Sequence, residues 1–160
     1  MSTVEEHEPM TAQEQCREYI AAHELGHAIG MREAGFTPGV LHVKDYWIFT
    51  GAHGLCTIKE KEWPTDENGN IPDEVVRGYM VMLLAGQAAV EHLAELRGEQ
   101  AGFTGVSDYQ EFHECAKDVP FPLEEAKAKA RSLVATHWGE IAEWIDILAE
   151  RGRLAGKKVM

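Results

Sequence analysis

The chain has 160 residues, 44% of them apolar and 26% charged, with a formal net charge of −12. Size and balance are those of one soluble globular domain large enough to bury its own core. The acidity works against electrostatic binding to nucleic acid or to anionic membrane surfaces. The cysteines, Cys16, Cys56 and Cys115, are odd in number and form no CxxC pair. Neither a disulfide framework nor a cysteine zinc site is expected. With no basic and apolar leader after Met1, and no apolar run of membrane-spanning length, the expected location is cytoplasmic.

Residues 1–10, with Glu5, Glu6 and Glu8, are expected to be a flexible acidic tail, and residues 11–160 a single domain. Thr11 and Glu14 form a T-x-x-E capping box. A proline-free stretch follows, and the spacing predicts a helix over 12–34 that stops at Gly35. This helix carries the pentapeptide His23-Glu24-Leu25-Gly26-His27, which reads HExxH. Ile20, His23, Glu24, His27 and Met31 share one helical face, expected to turn inward. Histidines four residues apart lie one above the other, so both imidazoles reach one metal ion. Glu24 projects near the same ion and can act on a metal-bound water without being a ligand. His23 and His27 are therefore the expected metal ligands, Zn2+ the cofactor and Glu24 the catalytic general base. A catalytic zinc takes three protein ligands and keeps one position open, so something beyond the pentapeptide must supply the third. Gly26 and Gly30 each cost a helix about 1 kcal/mol relative to alanine, so packing or site geometry is expected to want them. Glu33 stands where HExxHxxGxxH enzymes place a third histidine, which makes it one candidate ligand. A solvated charge at the helix end is its other reading.

Pro38-Gly39 reads as a turn. Residues 40–50 and 55–60 read as two short strands, a hairpin or adjacent pair, with Tyr46, Trp47 and Phe49 as sheet packing or a groove wall. Residues 61–72 are rich in Pro, Gly, Asn and Asp and read as a loop. Asp73 is expected to cap a core helix ending before Gly98, with Val76, Tyr79, Met80, Leu83 and Leu84 on its apolar face. Glu91 on that helix is a surface charge, a direct metal ligand, or an acceptor for a ligand histidine's N–H, which such histidines nearly always need. Ser107 or Asp108 can cap a third helix. Pro120 and Pro122 precede a fourth helix, and a fifth follows Gly139 with Ile141, Trp144, Ile145 and Leu148. His7 and His113 read as surface residues; His42, His53, His92 and His137 are structural or line a groove.

The order of an HExxH helix, two short strands, the helix segment Ala85-Gly86-Gln87-Ala88-Ala89-Val90-Glu91, the segment Thr104-Gly105-Val106-Ser107-Asp108 and a terminal helical pair resembles the peptidase domain of FtsH-type AAA+ zinc metalloproteases. The resemblance covers roughly residues 12–159, and HExxH is its most specific element. It implies a mainly α (α+β) fold, a helical zincin-type peptidase domain with a small β-sheet beside the HExxH helix. It also implies a zinc ligand set of His23, His27 and Asp108, with Glu91 matching the family's helix glutamate. The chain departs from the pattern in lacking the paired glycines and adjacent arginine of the alanine-rich helix. The segment before Asp108 is one residue shorter. No Walker A motif is present, so this chain is not expected to carry an ATPase that unfolds substrates.

The function read from these residues is a zinc-dependent endopeptidase that cuts flexible or unfolded protein segments. The expected partners are a protein or peptide substrate, and a homo-oligomer or a separate ATPase; nucleic acid and membrane are not among them. Two alternatives stand beside it: a catalytically silent peptidase-like regulatory module, and a metzincin-like peptidase using Glu33. The intact Glu24 weighs against the silent module, because metal binding alone does not need that carboxylate.

Overall fold

Small side chains let the motif helix run through the middle of the molecule. The computed structural model describes residues 12–45, 52–58, 63–102 and 105–159. Its first helix, α1 (Ala12–Glu33), is buried at every residue from Ala21 to Met31. The sequence periodicity pointed to one buried face, whereas the helix is covered all round. Gly26 and Gly30 explain how. A Cβ on Gly26 would fall 2.4 Å from the Ala85 carbonyl oxygen, and one on Gly30 would fall 2.9 Å from the Met82 Cα. A second helix, α2 (Asp73–Arg97), therefore lies directly against α1.

Strands β1 (Pro38–Asp45) and β2 (Ala52–Ile58) pair antiparallel beside α1. Pro38-Gly39, expected as a turn, already belongs to β1, which is irregular between Pro38 and Leu41. Tyr46, Trp47, Phe49 and Thr11 lie outside the described residues, as does the His53 side chain. A third strand, β3 (Arg153–Ala155), pairs with β1 on its other side, giving the order β2-β1-β3. Nothing in the local sequence marks so short a strand; it forms because Leu154 is buried opposite Leu41. The chain then closes in a short 3-10 turn, Gly156–Val159.

The remaining helices are α3 (Val106–Asp118), α4 (Leu123–Thr136) and α5 (Trp138–Arg151). Helix starts differ from the sequence expectation in a consistent way. Pro72, not Asp73, precedes α2, and Asp73 and Glu74 stand in its first turn, where acidic groups favour the helix dipole. Gly105 precedes α3, so Ser107 and Asp108 lie inside the first turn rather than capping it. Gly98 ends α2 in the left-handed conformation (φ 64°), as its position after Arg97 predicts. The protein is mainly α with a small antiparallel sheet, and one apolar core takes side chains from all five helices, β1, β3 and the terminal turn.

Candidate metal site

α1 and α2 meet where the HExxH residues are, and α3 begins beside them. His23 and His27 are one turn apart, with both rings buried. Their Nε2 atoms are 2.9 Å apart. Asp108 Oδ2 is 3.2 Å from each. Four ligands around tetrahedral zinc, with bonds of about 2.0–2.1 Å, stand roughly 3.3 Å from one another. The three donors already have nearly that spacing. Among the described residues, they are the group of histidine, cysteine and carboxylate side chains that could hold a metal ion.

The tautomer of His27 supports the same conclusion. Its Nδ1 lies 2.8 Å from the Met82 carbonyl oxygen, which only accepts, so Nδ1 carries the proton and Nε2 turns its lone pair inward. There it meets a carboxylate oxygen and a second imidazole nitrogen. Three such atoms within 3.2 Å of one another need a proton or a metal ion between them. A proton on either Nε2 fills that place, on His23 as a neutral tautomer or on a charged His27, and a metal ion would displace it. Burial opposes a charged His27, but hydrogen bonding and attraction from Asp108 outweigh it and raise the ring to about 9. Burial lowers His23, with Asp108 only partly opposing. Burial alone would raise the Asp108 carboxyl, but its hydrogen bonds to both imidazoles hold it far below the usual carboxylate range.

Gly86 makes the space. A Cβ there would fall 2.6 Å from His27 Nε2 and 2.9 Å from His23 Cε1, so any side chain would enter the donor cluster. Within Ala85-Gly86-Gln87-Ala88-Ala89-Val90-Glu91 nothing in the sequence marks Gly86 for this role.

Glu24 is 5% exposed, and its Oε2 has no hydrogen-bond partner. Burial pushes its carboxyl up to about 7, against a partly opposing pull from His27. A buried carboxylate next to the two histidines, with an oxygen left unbonded, is suited to exchanging a proton with something in the site.

The other candidates lie elsewhere. Glu33 sits at the end of an unbroken α1, 3.2 Å from Arg32 and 3.5 Å from His137. Glu91 faces Arg131 at 3.8 Å, and the acceptor for His27 is the Met82 carbonyl rather than this glutamate. His92 packs against Trp138 with the rings tilted, and His113 is exposed. A backbone acceptor has no side-chain signature, so no sequence signal pointed to Met82.

No known protein family model matches this chain, and no curated protein matches it. No helix among the described residues is long and apolar enough to cross a membrane.

Proposed function

We propose that this chain is a zinc-dependent endopeptidase acting on flexible or unfolded protein segments, with the character of an FtsH-type peptidase domain. The observation that carries the reading is the convergence of His23 Nε2, His27 Nε2 and Asp108 Oδ2 with the buried Glu24 carboxylate beside them. Mixed nitrogen and oxygen donors, three in number, suit a catalytic zinc better than a closed structural one. When bound, zinc would polarise a peptide carbonyl and make a water acidic near neutral pH.

The chain's own residues do the rest. His23 and His27 are locked in position by burial in α1, and the Met82 carbonyl fixes the His27 ring. Glu24 takes the proton of the attacking water and delivers it to the departing amine. Its buried setting keeps that proton from exchanging freely with solvent. The half-buried, unpaired Cys16 and Cys115 suit a reducing, cytoplasmic setting. A homo-oligomer or a separate ATPase is a partner compatible with this reading, and only a separate ATPase could present folded substrates in unfolded form.

Metal analysis of the purified protein tests the reading. About one zinc per chain is expected, and His23→Ala or His27→Ala should abolish most of it. Full occupancy in the double variant would refute the site.

A further inference from the structure

The third donor is held differently from the other two. His23 and His27 sit on a helix buried on all sides, but Asp108 sits on α3, which packs chiefly on α2 and buries one side chain, Phe112. Two α2 side chains bracket Asp108. Gln87, 5% exposed, donates from Nε2 to the Gly102 carbonyl at 2.9 Å. Its stem also lies against Gly105, where an added Cβ would be 3.7 Å from Gln87 Cβ. The Gly105 carbonyl accepts from Tyr109 N at 2.9 Å, closing the turn that contains Asp108. One turn beyond Asp108, Glu111 accepts a hydrogen bond from the Tyr79 hydroxyl. The Tyr79 ring is in turn fixed by Trp63 and Phe36, with centroids 4.9 Å and 6.0 Å away.

We infer that Gln87 and Tyr79 are positioning residues that set Asp108 against His23 and His27, Gln87 from the chain entering α3 and Tyr79 from the turn after it. This rests on the metal reading above. Both residues lie on α2, which also supplies the Met82 carbonyl to His27 and the Gly86 gap. One helix thus fixes the His27 ring, leaves room for both imidazoles and holds the segment that carries Asp108. A buried amide that holds a loop carbonyl loses its function when the donor is lost, even if the shape is kept.

The test is zinc affinity, measured by competition with a chelator, for Gln87→Ala and Tyr79→Phe in the wild-type and Asp108→Ala backgrounds. Gln87→Met, which keeps the length but not the amide, serves if Gln87→Ala fails to fold. Gln87→Ala should weaken zinc binding about tenfold or more, and Tyr79→Phe several-fold. In the Asp108→Ala background both effects should vanish, because the group they position is gone. Unchanged affinity in a folded Gln87 variant, or an equal loss with and without Asp108, would overturn the inference while leaving the zinc site intact. A wild type that takes up no zinc would refute the metal reading itself, and this inference with it.

Discussion

At the scale of single residues, the site depends on what Gly86 lacks. An alanine there would place a methyl group 2.6 Å from His27 Nε2. The ring cannot retreat without giving up the Met82 carbonyl at 2.8 Å. Gly86→Ala should therefore lower zinc affinity at least tenfold, with a stability loss of about 1–3 kcal/mol from overpacking. Chelator competition and denaturant unfolding would read the two effects separately; unchanged affinity would show that the histidines have room to shift. His23, Glu24 and His27 were legible because the pentapeptide spacing is itself the geometry of a helix face. Asp108 was reachable only through a resemblance. Its partners are more than eighty residues away, and only the docking of α3 brings them to 3.2 Å. Met82 and Gln87 were not legible in these roles, since a main-chain acceptor and a loop-holding amide look like ordinary helix residues.

At the scale of elements, the choice of third donor depends on which helix comes to the site. A ligand role for Glu33 would require α1 to break near Gly30. Instead α1 is continuous to Glu33, and Gly30 is where the Met82 backbone passes closely. Asp108→Ala should thus weaken zinc binding by roughly tenfold or more. Glu33→Ala should leave it near wild type, as Glu33 pairs with Arg32 and His137, away from the donor cluster. The reverse ranking would move the site to the other architecture. The crossing of α1 and α2 has its own test. Gly26→Ala would press a methyl group against a backbone oxygen at 2.4 Å, which cannot rotate away. It should cost about 1–3 kcal/mol in chemical unfolding. Helix existence was readable from apolar spacing and from Gly98 and Pro122. The starts were off by one to three residues: proline and glycine, rather than Asp73 and Ser107 or Asp108, precede α2 and α3, and α5 begins at Trp138, so Gly139 lies in its first turn instead of before it.

At the scale of the whole molecule, the last residues complete the fold around α1. β3 pairs with β1, and the Arg32 guanidinium at the end of α1 donates to the Val159 carbonyl at 2.8 Å and to Glu140 of α5. Neither contact was legible, because Arg32 and Val159 are distant in sequence and short strands carry no periodicity. Arg32→Ala should lower stability by about 1–2 kcal/mol, given a hydrogen bond and a partly shielded ion pair. It should not change zinc affinity, since the network touches none of the donor atoms; a parallel loss of zinc would mean that the C-terminal closure also shapes the site. The central claim is that this fold places Glu24 to move a proton beside a zinc held by His23, His27 and Asp108. Hydrolysis of an unfolded, casein-like substrate by zinc-loaded wild type and Glu24→Gln, at equal metal content, tests it most directly. The account predicts cleavage by the wild type and a loss of about 10²–10⁴-fold in the variant, with zinc and fold retained. Equal rates in the two proteins, or no cleavage by the zinc-loaded wild type across pH, would contradict it.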